Sequence, residues 1–214
     1  MIRNMSPRLP LDRITRPSMS RRAIDDLGFI RATMESSALH TALPTWGGVS
    51  MGLTALVATP FALSAASVQS WFGVWMIAAG VGTSIGALEM WRKAKVQGVS
   101  LVTGPGSRFS KALAPALIAG ALLTLAIRAI GTSSELLPGV WLLCYGAAVV
   151  AAGAHSVRNV RTMGLSIMLA GAVALLGLVF ARDERWLGDL CMAAGFGVMH
   201  IVFGLRIAKE RHGA

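Results

Sequence analysis

The chain has 214 residues, 54% of them hydrophobic and only 14% charged, with a formal net charge of +10. An ordinary soluble domain has about 25% charged residues, so too little polar surface remains here to cover a soluble globule. Disorder is excluded as well, since it needs low hydrophobicity, and a chain both this apolar and this basic points to a membrane protein with its positive charge on one side.

Residues 1–19 are rich in Pro and Arg, with Pro7, Pro10 and Pro17. They read as a flexible basic arm suited to anionic lipid headgroups. No apolar segment follows the first basic residues closely, so neither a signal peptide nor a twin-arginine export signal is expected at Arg21-Arg22.

Residues 20–48 change character. Ala23, Ile24, Leu27, Ile30 and Met34 recur at helical spacing. The i,i+4 pairs Arg21–Asp25, Arg22–Asp26 and Arg31–Glu35 occupy the other face, each worth a few tenths of a kcal/mol. This pattern predicts an amphipathic helix from Ser20 to Ala38 on the cytoplasmic membrane surface, where it could also dock a protein partner. Pro44-Thr45-Trp46-Gly47-Gly48 then reads as a turn at the interface, with Trp46, Gly47 and Gly48 letting the chain bend into the bilayer.

Six apolar segments follow within residues 49–205, each close to the ~20 residues that a helix needs to cross ~30 Å of hydrocarbon. They run over about Val49–Val68, Trp71–Met90, Ala112–Gly131, Leu136–His155, Met163–Ala181 and Leu187–Leu205. Backbone groups in lipid must bond within their own segment, so these are helices. The runs lack the alternation of a barrel strand. The expected fold is an all-α, polytopic six-helix bundle with a short tail at 206–214.

Charge fixes the orientation. Seventeen of the 20 basic residues fall before span one, after spans two and four, and in the tail. Lys and Arg stay on the cytoplasmic side of short loops, so both termini are expected there, in a bacterial inner membrane. The basic charge is thus topological, and no nucleic-acid partner is expected. Trp71, Trp75, Trp91, Trp141 and Trp186 lie near predicted span ends and read as interface anchors. Cys144 and Cys191 lie inside spans and read as packing residues.

Spans two, four and six carry similar stretches: Val74–Gly80, Val140–Gly146 and Asp189–Gly195. They suggest three hairpin repeats, spans 1–2, 3–4 and 5–6, as some transporters have. Pro60 should kink span one. The small-xxx-small pair Gly82 and Gly86 favours close helix packing.

Ile30-Arg31-Ala32-Thr33-Met34-Glu35 and Pro44-Thr45-Trp46-Gly47-Gly48-Val49-Ser50-Met51-Gly52 together resemble a family of uncharacterised six-span bacterial membrane proteins. Leu137-Pro138-Gly139-Val140-Trp141, Ala194-Gly195-Phe196-Gly197, His200 and Phe203-Gly204 are similar to it as well. The resemblance covers about Ile30 to Ala208. It implies the topology and no activity.

An ionisable group inside a span is a functional candidate by default. Glu89, His155 and His200 fall toward the cytoplasmic ends of the even-numbered spans and could form one polar cluster there. Arg128 lies near the outer end of span three, where Glu135, Asp183 or Asp189 could pair with it in a structural ion pair. Gly48-Val49-Ser50-Met51-Gly52 fits G-x-S-x-G, whose serine is a nucleophile only on a strand–turn–helix bend. No metal site, haem ligand pair, phosphate loop or other cofactor motif stands out, and no catalytic residue is assigned. The leading expectation is a non-enzymatic accessory, sensing or partner-binding membrane protein. A small-solute or ion transporter or channel is the alternative, and an intramembrane serine hydrolase the remote one.

Overall fold

The computed structural model describes residues 21, 23–30, 45–96, 105–131, 133–154, 158–180 and 185–212, and every regular element among them is helical. Six of the helices are long and apolar enough to cross a membrane. Span one is Thr45–Leu63, span two Val68–Val96 and span three Pro105–Ile130. Span four is Leu136–Gly153 and span five Arg158–Phe180. Span six joins Arg185–Met192, a π-helical turn at Ala193–Val198, and Met199–His212.

Several boundaries differ from the sequence expectation, and three of them have a plain local reason. Span one begins at Thr45, so Trp46, Gly47 and Gly48 form its first turn and not a bend before it. A helix start directly after a proline is sterically easy, because the first-turn N–H groups need no intrahelical partner. Span one also stops at Leu63, five residues early, with Pro60 in its last turn. Ser64 bonds the Pro60 carbonyl through both N–H and Oγ. Span two then starts early, because Ser67 and Ser70 cap it reciprocally: each backbone N–H donates to the other's Oγ at 3.1 Å. This is the logic of a capping box written with two serines. Span three ends on Gly131, whose φ of +72° closes the helix in a conformation that other residues resist.

Spans four and five form the most extensive pair in the bundle. Gly139, Gly146 and Gly153 recur every seven residues on span four, and Gly164 and Gly171 face them from span five. A Cβ on Gly146 would lie 2.8 Å from the Gly164 carbonyl oxygen, and one on Gly164 would lie 2.7 Å from the Val150 nitrogen. The backbones themselves are in contact, the approach that small residues permit in lipid. This pair joins the second expected hairpin to the third, so hairpin pairing alone does not describe the packing. Spans one and six make a second close contact, with Gly52 against Gly197 and Gly48 against His200 and Gly204. Gly82 and Gly86, by contrast, meet only the flexible Met51 side chain.

Spans two and three lie outside these two pairs. Span two packs mainly on span one, and span three mainly on span four. They make little contact with each other, and the space this leaves holds the site described next. Of the expected amphipathic helix, residues 23–30 are helical. Ile24, Leu27 and Ile30 there are each more than half exposed. The remainder of that helix, Arg21 apart, lies outside the described residues.

Candidate functional site

Among the described residues, span six supplies the buried carboxylate Asp189 and the buried imidazole His200. They lie eleven residues apart, about 16 Å along a helix, and each organises a separate part of the interior.

Asp189 is 1% exposed. Its Oδ1 accepts the indole N–H of Trp71 at 2.8 Å and of Trp75 at 2.9 Å. Trp71 and Trp75 are one turn apart on span two, so one oxygen pins that helix to span six at two points. Trp71 stacks on Trp141 of span four, with centroids 5.9 Å apart and planes 7° from parallel. The Trp141 indole donates to Thr124 Oγ1 at 2.8 Å, and Thr124 donates to the Gly120 carbonyl at 2.7 Å. One polar and aromatic chain thereby ties spans two, three, four and six together.

Two expectations are corrected here. Trp71 and Trp75 are not interface anchors; both are almost completely buried, because a carboxylate inside an apolar bundle demands donors and indoles supply them. Nor does Asp189 pair with Arg128. The Arg128 guanidinium donates to Ser134 Oγ at 3.3 Å and lies 5.1 Å from the Phe72 ring centroid. Glu135 takes its hydrogen bond from Ser133 instead, at 2.6 Å. Among the described residues no ion pair joins Arg128 to Glu135 or Asp189; span three packs on span four, and the Ser133 and Ser134 hydroxyls take the polar contacts of Glu135 and Arg128.

His200 follows the π-helical turn, where the Met199 N–H reaches back five residues to the Ala194 carbonyl. Such a turn inserts one residue into the helix and re-aims the side chains that follow. His200 is 3% exposed, and its Nε2 meets the Tyr145 hydroxyl at 2.7 Å. Phe196 packs on both rings, 4.9 Å from Tyr145 and 6.2 Å from His200 between centroids. The second ring nitrogen, Nδ1, is buried with no hydrogen-bond partner among the described residues. Whichever group donates across the 2.7 Å contact, the Tyr145 oxygen keeps at least one lone pair free.

Tyr145 is the tenth residue of the 18 in span four, which puts the pair near the middle of that helix. Both side chains line a cavity of about 500 Å³ between spans two, three, four and six, with Met51 and Ala55 of span one at its edge. Trp75, Trp141 and Thr124, held by the Asp189 chain, form one end of it, the end toward Asp189. Its walls carry aromatic rings, methionines and small residues, and no Asp, Glu, Lys or Arg is among the lining residues. Thr83, Thr124, Cys144, Tyr145 and His200 are the polar points. A cavity of this size with few convergent polar groups has the character of a small-molecule site.

Of the expected Glu89–His155–His200 cluster, no hydrogen bond or ion pair joins Glu89 to His200 among the described residues. Glu89 faces Arg92 at 3.9 Å on its own helix. His155 lies outside the described residues. Tyr145, 55 residues from His200 in sequence, is the partner that sequence reasoning missed. Ser50 lies within the helix of span one and has its carbonyl bonded by Thr54 Oγ1 at 3.0 Å. The strand-to-helix bend of a serine nucleophile is absent there, and Gly48 and Gly52 serve packing against span six. Among the described residues no three His, Cys, Asp or Glu side chains are grouped to hold a metal ion. No protein-family model, curated protein or solved structure matches the chain.

Proposed function

We propose that this is a non-enzymatic inner-membrane protein of bacterial type that takes up a small, mainly apolar molecule from the bilayer, as a sensor or accessory component. Both termini face the cytoplasm in this reading. The uncharged cavity of about 500 Å³ at mid-membrane depth, with the buried His200–Tyr145 pair in its wall, is the observation that carries it. The basic arm and the exposed apolar face of residues 23–30 fit a role on anionic lipid or against a protein partner.

Cys144 provides the test, because it lines the cavity while Cys191 is buried. In the Cys191→Ala protein in lipid nanodiscs, N-ethylmaleimide should label Cys144, and naphthalene should slow that labelling saturably. Labelling that naphthalene leaves unchanged at any concentration would count decisively against a cavity that takes small molecules from the membrane.

A transporter is the second reading, favoured by the mid-membrane depth of the polar pair, where carriers commonly hold substrate. Flux of a solute into proteoliposomes that His200→Ala abolishes would support it. Absence of flux for every ion and apolar solute tried would leave the sensor reading alone.

A further inference from the structure

We propose that the cavity selects an uncharged, ring-shaped ligand carrying a hydroxyl or N–H donor, that this donor bonds the Tyr145 oxygen, and that the ligand arrives sideways from the lipid between spans two and three. The proposal rests on the reading of the cavity as a small-molecule site and adds the class of ligand and its route.

The wall chemistry sets the class. No charged side chain lines the cavity to compensate an ion, so a bound ion would remain unpaired in a low dielectric. Phe72, Trp75, Trp141 and Phe196 offer aromatic faces and edges, and Met76 and Met192 offer sulfur, which suits a ring more than an alkyl chain. An acyl chain would bring no polar group to the depth of Tyr145.

The pair sets the polarity. One hydrogen bond of 2.7 Å joins the Tyr145 hydroxyl and His200 Nε2. With either group as its donor, the Tyr145 oxygen keeps a lone pair that can accept from a guest. A ligand donor therefore fits there.

The packing sets the route. Spans two and three are neighbours in sequence yet barely touch, and the cavity lies between them. Met76 on one side and Leu117 and Leu125 on the other are both cavity-lining and substantially exposed, which marks a side opening at the depth of the hydrocarbon. The end toward Asp189 is blocked by the indoles that Asp189 holds.

The experiment compares three probes of similar size in the Cys191→Ala protein in nanodiscs: 1-naphthol, 1-methoxynaphthalene and naphthalene, none of them charged at neutral pH. Protection of Cys144 from N-ethylmaleimide is expected at roughly tenfold lower concentration for 1-naphthol than for the other two, a factor typical of one hydrogen bond. Tyr145→Phe should remove that preference while naphthalene still protects. Equal protection by all three probes overturns the donor assignment and leaves the cavity reading standing. Protection by 1-methoxynaphthalene as strong as by 1-naphthol, with naphthalene weaker, overturns it too, since an acceptor would then suffice. Protection by none of the three overturns both. For the route, a Met76→Trp, Leu117→Trp double variant should slow the onset of naphthol protection at least several-fold. An unchanged onset overturns the lateral path. The probe comparison in the protein with native cavity walls needs no variant to be stable, so it decides the ligand class even where Tyr145→Phe folds poorly.

Discussion

A carboxylate buried among apolar helices must find donors or lose its charge, and Asp189 finds two indoles on one neighbouring helix. Its removal should therefore act through the tryptophans it leaves behind. Asp189→Leu strands two buried N–H groups, each costing about 1–3 kcal/mol, whereas Asp189→Asn keeps an acceptor oxygen and should cost distinctly less. Thermal unfolding in detergent, followed by loss of the folded monomer, measures both; equal destabilisation by Leu and Asn would show that the indoles do not depend on that oxygen. The need for donors was legible in the sequence from Asp189 alone. Their identity was not, because Trp71 and Trp75 stand 118 and 114 residues away and sit where interface tryptophans also sit. His200 posed the same difficulty. Its interest could be read from its depth in an apolar run, but its partner could not, since Tyr145 is one polar residue among several in the spans.

At the scale of helices, glycine decides which pairs are close. Sequence composition shows many glycines in the spans and does not say which face a neighbour's backbone. The seven-residue spacing of Gly139, Gly146 and Gly153 was a usable signal, because it places all three on one stripe of span four. Gly82 and Gly86 form the more familiar spacing and meet only a methionine side chain. Substitution separates the two kinds. Gly146→Ala drives a methyl group against the Gly164 carbonyl and the Met168 nitrogen, both 2.8 Å away and neither free to move; a loss of about 1–3 kcal/mol is expected. Gly80→Ala meets nothing within 4 Å and should be neutral or stabilising by up to ~1 kcal/mol. Unfolding curves for the two variants in the same detergent check the contrast, and a harmless Gly146→Ala would mean that spans four and five are not in backbone contact. The π-helical turn belongs to this scale too. It shifts the register of span six by one residue ahead of His200, and no hydrophobic periodicity announces it, although the Gly195-Phe196-Gly197 run within it is poor in strong helix formers.

For the whole molecule, the excess of Lys and Arg makes a definite forecast of orientation. Alkaline phosphatase fused after Ala214 should be inactive and a fluorescent protein there should shine. Fusions placed in the turn after Leu63 should show the opposite, and a reversed pattern would overturn the assignment of sides. That forecast needs no tertiary structure, and neither did the six helices. Span length is set by bilayer thickness and the helical rise, and sidedness by where cations stop, so both are written in local composition. The tertiary structure decided what composition cannot carry: that Asp189 holds the indoles of Trp71 and Trp75, that His200 meets Tyr145, and that spans two and three stand apart around a cavity. The reason is physical. In lipid the apolar residues feel little drive to choose a partner, so helix order in space follows a few backbone contacts at glycine and a few buried hydrogen bonds. Those contacts join residues scattered over the whole chain, and only the folded bundle brings them together.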